Sequence, residues 1–332
     1  MSLRAIYVVD AEIFPLVFSP AEQQALAARL DFIAPPLTAA DLASTTVPLD
    51  TVEVILSSWS PPVMDEHMLA RFPKLRAIFH AAGTVKPFVT AALWQRGIRV
   101  SSAARVNAVP VAEFTVSQIV FCLKHGWQRV FEVRAGSHFR REDESVPGIH
   151  GATIGLLSLG HTGRLVAQRL QPLEAEVLAC DPFVPPEQAR EWGATLCGLD
   201  EVFARSDVVS CHTPLLPETT GMIRARHFAS MRPGASFINT ARGAVVNEPE
   251  MVAVLSRRPD LFAVLDVTAP EPPAPDSPLR QLPNVVLTPH IAGSLGREYQ
   301  KIGRMMADEV ERYLRGKPLL GEVTPDQIPL IA

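Results

Sequence analysis

The stretch 153–170, "TIGLLSLGHTGRLVAQRL", decides how the chain is read. An apolar run is followed by Gly160 and Gly163, and then by apolar residues at helical spacing. Strand, tight turn and helix in that order form the turn that holds a dinucleotide pyrophosphate. Gly160 is expected to let the backbone approach the phosphates, and Gly163 to let the helix pack against the strand. The helix N-terminus, at His161 and Thr162, offers free N–H groups and the positive end of its dipole. The usual spacing, G-x-G-x-x-G, calls for a glycine at 158, where this chain has Ser158. At negative φ that serine costs little; at positive φ the strain is on the order of 1 kcal/mol. Asp181 follows about 20 positions after the turn, where a carboxylate holds ribose hydroxyls. A carboxylate repels a 2′-phosphate, so the expected cofactor is NAD.

Working outward, "TIGLLSL" (153–159), "EVLACD" (176–181), "DVVSCHT" (207–213), "ASFINT" (235–240), "LFAVLDV" (261–267) and "NVVLTP" (284–289) read as six strands. Six parallel strands with intervening helices make a Rossmann doubly wound α/β sheet. The first hundred residues repeat the alternation, with strands expected at 4–10, 52–58, 75–81 and 98–103 and a helix at 19–30. Ser19 and Pro20 suit the start of that helix. Residues 105–145 read as one long buried helix linking two domains. The proline-rich 269–278 is a loop, and 294–316 is an amphipathic helix ending at Gly316.

Composition narrows the class. The 332 residues are 47% hydrophobic and 20% charged, as in ordinary globular chains with a sizeable core. A net charge of −4 gives no electrostatic reason to expect nucleic acid or an anionic membrane as partner. No apolar run approaches the roughly 20 residues of a spanning helix, and Asp10, Glu12 and Pro15 break any signal-peptide core. Cys122, Cys180, Cys197 and Cys211 lack C-x-x-C spacing, which reads as structural thiols in a reducing, cytoplasmic setting, with no metal site.

Open α/β sheets bind ligands at the C-terminal ends of their strands, and reactive side chains fall there. Arg242 follows the fourth strand, Asp266 ends the fifth with Glu271 just beyond, and His290 follows the sixth. Hydride transfer to a carbonyl needs a proton donor on the oxygen, a role that suits histidine. Glu271 is the candidate carboxylate to stabilise its imidazolium. The guanidinium of Arg242 could clamp a substrate carboxylate while polarising the carbonyl.

The segments "GLLSLGHTGR", "PLLPETTGMI", "MRPGASFINTARGAVVNE", "LDVTAPEPP" and "NVVLTPHIAGS" resemble, in order, the signatures of the NAD-dependent D-isomer-specific 2-hydroxyacid dehydrogenases, over roughly residues 100–295. The resemblance implies that His290 is the acid/base, that Glu271 supports it and that Arg242 binds substrate. It implies an NAD site drawn from Gly160, His161, Thr162, Gly163, Asp181, His212, Thr213, Pro214, Thr240, Ala241, Asp266, His290 and Gly293, with Asp266 near the nicotinamide. It also implies a flavodoxin-like α/β substrate domain from residues 1–103 and 294–332, an NAD-binding domain over 104–293, and a homodimer formed through the latter.

The chain departs from the family at several positions. Ser158 replaces a glycine, and Phe114 and Phe139 stand where histidine and tryptophan are common. The substrate-carboxylate loop reads "HAAGTVKPF". Ala82, Gly83, Thr84 and Val85 are placed in it, with His80 and Lys86 as residues the family does not lead one to expect. A redox-sensing binding protein, like the C-terminal-binding corepressors on this scaffold, is the alternative expectation; extended tails or a peptide groove would mark it, and the sequence ends soon after the last expected helix. Formate dehydrogenases carry glutamine at the acid position, so Glu271 argues against them.

Overall fold

A computed structural model describes residues 2–137 and 146–331, so Phe139 lies outside the described residues. The chain divides into two compact units, residues 1–107 with 294–332, and residues 108–293.

In the first unit the strands are β1 (Leu3–Val8), β2 (Leu30–Phe32), β3 (Val54–Ser57), β4 (Ala77–His80) and β5 (Arg99–Ser102). They lie in the order β2-β1-β3-β4-β5, all parallel, with Glu322–Val323 added antiparallel to β5. This is the flavodoxin-like order. Side chains alternate across it with period two. Ile6, Val8, Ile55, Ile78 and Val100 enter one core, and Ala5, Tyr7, Val54, Leu56 and Phe79 the other. Both faces are covered, which explains why these strands read as continuous apolar runs.

Two short strands here escape sequence reading. The expected helix 19–30 stops at Ala27, and Leu30 already belongs to β2. The edge strand Glu322–Val323 is held by a buried carboxylate on the helix Tyr299–Leu314: Glu309 accepts from Ser101 Oγ at 2.6 Å, Leu320 N at 2.9 Å and Gly321 N at 3.0 Å. That helix buries Ile302, Met306 and Val310 at four-residue spacing, and Gly316 follows it at φ +63°.

The second unit contains β6 (Thr153–Leu157), β7 (Glu176–Cys180), β8 (Thr195–Leu196), β9 (Val208–Cys211), β10 (Ser236–Asn239), β11 (Phe262–Leu265) and β12 (Val285–Leu287). The sheet therefore has seven strands where six are expected. The extra one, β8, has two residues, too few for a visible pattern. The order is β8-β7-β6-β9-β10-β11-β12, all parallel. Chain direction across the sheet reverses between β6 and β9, which is where a doubly wound fold opens its crevice.

The single helix expected over 105–145 is two. Ala104–Cys122 buries Ala112, Ile119 and Cys122, and Gly126–Arg134 follows after a bend of 64°. His125 takes a left-handed conformation, φ +48°, at the start of the second helix, while Phe121 packs edge-on against Trp127 at 5.1 Å. The second helix is not buried as expected: Val130, Phe131 and Val133 are 37%, 36% and 42% exposed. Among the described residues no single helix is long and apolar enough to cross a membrane.

Candidate active site

At the crevice of the second unit, Ser158 follows β6 with φ +73°, so the strained alternative is the one adopted. Its amide donates to Cys180 O at 2.9 Å, and its hydroxyl donates to Asp181 Oδ2 at 3.3 Å. Leu159 N donates to the same oxygen at 2.7 Å, and Phe183 N to Asp181 Oδ1 at 2.9 Å. The acidic residue after β7 is thus held against the turn by two donors, one of them the serine that breaks the glycine pattern, and by a third from its own loop.

The two glycines do different work. A Cβ on Gly163 would lie 2.0 Å from Ser158 O, so helix and turn meet only because it is absent. A Cβ on Gly160, which caps the helix His161–Leu170, would meet nothing within 4 Å. Open space at a helix N-terminus fits an incoming phosphate group. His161 and Thr162 form the first turn, with Arg164 Nη2 at 3.4 Å from His161 Nδ1.

His212 follows β9, the other side of the crevice. Its amide donates to Leu157 O at 2.9 Å, and its Nε2 lies 3.1 Å from Ser210 Oγ. Burial pulls its pKa down to about 4, so the ring is neutral, and among the described residues its buried Nδ1 has no hydrogen-bond partner. Thr213 is buried, and Pro214 O accepts from Thr219 Oγ1 at 2.6 Å. A free helix end, a side-chain-free approach at Gly160, an orphaned buried imidazole nitrogen and a carboxylate at the next strand end together fit a dinucleotide.

The reactive groups lie at the ends of β10, β11 and β12. Asn239 folds the turn after β10: its Oδ1 accepts from Ala241 N at 3.0 Å and its Nδ2 donates to Arg242 O at 3.1 Å. Arg242 Nη1 donates to Ala241 O at 2.7 Å. Burial lowers the pKa of this guanidinium, and the nearby Glu271 charge opposes that shift. Thr240 is buried with its hydroxyl 3.0 Å from that of Thr115.

His290 adopts φ +55°, and its amide donates to Asp266 O and Thr288 O, both at 3.0 Å. Its Nδ1 lies 2.6 Å from Glu271 Oε1, with both side chains partly open to solvent. Asp266 directs its carboxylate into the loop that carries His290. Oδ1 accepts from Thr288 Oγ1 at 2.6 Å and Ile291 N at 2.8 Å, and Oδ2 from Ala292 N at 2.9 Å. It is 2% exposed and organises the segment from His290 toward Gly293. Asn239 and Thr288 lie within the quoted signatures but are not among the expected site residues; their hydrogen bonds show supporting roles.

In the first unit, Ala82, Gly83 and Thr84 follow β4. Ala82 O accepts from Ala103 N at 3.0 Å, and Thr84 Oγ1 from Lys86 N at 3.3 Å. Among the described residues the N–H groups of Gly83 and Thr84 donate to no protein acceptor. His80 lies beneath the loop as a packing residue, 2% exposed, with Nδ1 2.9 Å from Ser57 Oγ. Burial pushes its pKa down to about 3 against a backbone hydrogen bond with Thr84, which keeps it neutral.

The second unit is thus a doubly wound dinucleotide-binding fold. A family model described as "D-isomer specific 2-hydroxyacid dehydrogenase, NAD binding domain" matches residues 116–292, just over half of the chain, and the chain belongs to that family. The matched segment is its NAD-binding domain. The D-3-phosphoglycerate dehydrogenase of Archaeoglobus fulgidus is 34% identical over 260 residues, 78% of this chain and 49% of that one. That of Mycobacterium bovis is 33% identical over 269 residues, 81% of this chain and 50% of that one. The chain spans about half the length of these curated relatives. Among solved structures, a phosphoglycerate oxidoreductase from Rhizobium etli shares the fold with a TM-score of 0.81, at 24% identity over 99% of this chain and 100% of that one.

Proposed function

We propose that the protein catalyses reversible hydride transfer between NAD(H) and a small 2-oxo or D-2-hydroxy acid. The observation that carries this reading is the 2.6 Å contact between His290 Nδ1 and Glu271, at the end of the same sheet that presents Arg242. With Nδ1 engaged by the carboxylate, Nε2 is the nitrogen left to act on substrate. In the reductive direction it donates a proton to the carbonyl oxygen and in oxidation takes it back, while Glu271 stabilises the imidazolium. Arg242 pairs with the substrate carboxylate and polarises the carbonyl. Bound NADH supplies the hydride. Asp181 favours NAD over NADP by repelling a 2′-phosphate, and the Asp266 network holds the His290 loop.

In the same reading the first unit is the substrate domain, with Ala82, Gly83 and Thr84 as its loop for an anionic group. The exposed Phe121, Val130, Phe131 and Val133 support a homodimer formed through the second unit, which sedimentation would test. Four free cysteines suit a reducing, cytoplasmic setting.

The decisive experiment assays NADH oxidation with a panel of 2-oxo acids, for the wild type and for His290→Gln. The substitution is expected to lower kcat by about 10²-fold or more, the scale of a lost general acid, while NADH still quenches or enhances fluorescence on binding. Unchanged turnover refutes the acid/base assignment. Tight NADH binding with no turnover of any acid refutes the enzyme reading and points to a sensor.

A further inference from the structure

The chemistry proposed above uses no thiol, and all four cysteines are free. Two of them are neighbours. β7 and β8 pair in parallel, with Leu178 beside Thr195 and Ala179 beside Leu196, so one step further along brings Cys180 beside Cys197. The ladder continues across that step, since Cys197 N donates to Ala179 O at 2.9 Å. Alternation along each strand puts both side chains on one face of the sheet, where both pack, half-buried, against the core that holds Leu178 and Phe203. Adjacent strands run about 4.7–4.9 Å apart, within the Cα separation of about 4.4–6.8 Å that a disulfide spans.

The other two thiols are placed otherwise. Cys122 belongs to the core on the opposite face and is buried. Cys211 shares the face but ends β9, and β6 lies between β9 and β7. That gap is about twice the strand spacing, too wide for a bridge. β8 is an edge strand of two residues with β7 as its neighbour, so its end can shift to bring the sulfurs together. Burial raises the pKa of Cys197 to about 11, with the charges of Glu201 and Cys180 adding to the rise, and burial raises Cys180 as well. Both therefore rest as protonated thiols. Cys180 is joined to the cofactor turn through its backbone. Its carbonyl accepts from Ser158 N at 2.9 Å, and the next residue is Asp181, which takes Ser158 Oγ and Leu159 N. A bridge that draws Cys180 toward β8 pulls these contacts away from β6.

We propose that Cys180 and Cys197 form a two-thiol modification site that a hydroperoxide closes into a disulfide, and that closing it weakens NADH binding. One sulfur, as its thiolate, attacks the O–O bond and becomes a sulfenic acid. The oxygen it displaces takes up the proton shed by the thiol and leaves as an alcohol, or as water where the oxidant is hydrogen peroxide. The second sulfur then attacks the first, the S–S bond forms, and the hydroxyl leaves with the second thiol's proton as water. The two thiols lose two protons and two electrons in all, and these reduce the hydroperoxide. A dithiol reductant reverses the step.

The test treats the folded chain with hydrogen peroxide at neutral pH, blocks the remaining thiols with iodoacetamide after denaturation, and maps the peptides by mass spectrometry. A Cys180–Cys197 link is expected, lighter by two hydrogens than the dithiol, with Cys122 and Cys211 alkylated. NADH titration of the same sample is expected to show an affinity at least about fivefold below that of the reduced protein, the lower end of coupling between two sites. Dithiothreitol should restore it. Cys197→Ser is expected to bind NADH as the reduced wild type does and to keep that affinity after peroxide. The mapping needs no variant, so it holds whether or not Cys197→Ser folds. Four alkylated thiols, a bridge to another cysteine or to a second chain, or sulfinic acid in place of the link overturns the site. A Cys180–Cys197 link with unchanged NADH affinity overturns the coupling to the cofactor, and an equal loss of affinity in Cys197→Ser does the same. None of these readouts depends on which acid is turned over.

Discussion

Replacing each glycine of the turn by alanine separates what the fold needs from what the cofactor needs. At Gly163 the new Cβ would sit 2.0 Å from Ser158 O, against an ordinary contact of 3.4 Å or more. Helix and turn must part by over an ångström, and overpacking of that kind costs about 1–3 kcal/mol. The same displacement pulls Leu159 N from Asp181, now 2.7 Å away, so affinity falls along with stability. At Gly160 the Cβ meets no protein atom within 4 Å, and φ is −61°, which any residue adopts. Gly160→Ala should therefore change stability by about 1 kcal/mol or less, the scale of an altered N-cap. Its NADH affinity should nonetheless fall at least about tenfold, or ~1.4 kcal/mol, because the methyl group occupies the approach to the pyrophosphate. Urea unfolding followed by tryptophan fluorescence reads the first quantity, and NADH titration of the folded protein the second. Gly160→Ala with wild-type NADH affinity refutes the placement of the phosphates. Gly163→Ala with wild-type stability refutes the packing argument.

Ser158→Gly should relieve about 1 kcal/mol of left-handed strain while losing a hydroxyl contact of similar worth, so its stability should match wild type within about 1 kcal/mol. Ser158→Ala keeps the strain and loses the contact; unfolding data that rank it at or above Ser158→Gly would contradict that accounting. Asp266→Asn places an amide N–H₂ against one of three donors now served by the carboxylate, at a cost of about 1–3 kcal/mol. It should loosen the His290 loop and depress kcat, and wild-type values of both kcat and stability would rule the scaffold role out. His80 and His212, with pKa values pushed down to about 3 and about 4, stay neutral in the fold while the unfolded chain binds protons below about 6.5. Stability from both is full above that pH and is lost as pH falls toward 4, at up to about 1.4 kcal/mol per pH unit for each histidine. Urea midpoints should drop between pH 7 and 5, and His80→Gln should flatten the slope; a slope unchanged by that substitution excludes His80 as a source.

The main elements of both sheets were legible because parallel strands covered on both faces are written as unbroken apolar runs. The strands that escaped reading, β2, β8 and Glu322–Val323, have two or three residues each, and tertiary pairing rather than local pattern creates them. Glu309 shows why: a glutamate on an amphipathic helix reads as solvated, yet it is 1% exposed because two backbone amides and Ser101 converge on it from elsewhere in the chain. The break at His125 was hidden for a related reason. Apolar residues at helical spacing continue through Trp127, and only the left-handed turn resets the direction.

At the site, residue type and position along the strand could be read, but the direction of each hydrogen bond could not. Asp181 and Asp266 are both aspartates that end or follow an apolar strand, and from sequence both look free to meet a ligand. In the fold both carboxylates accept three hydrogen bonds, but Asp266 is 2% exposed and its donors, Thr288, Ile291 and Ala292, flank His290, so it braces that segment. Asp181 is held by Ser158, Leu159 and Phe183 at the rim of the crevice. Ser158 therefore has a consequence that a glycine there could not have. A glycine would fit the turn without strain but would leave Asp181 one donor fewer, so the residue that weakens the glycine pattern also fixes the carboxylate proposed above to favour NAD over NADP.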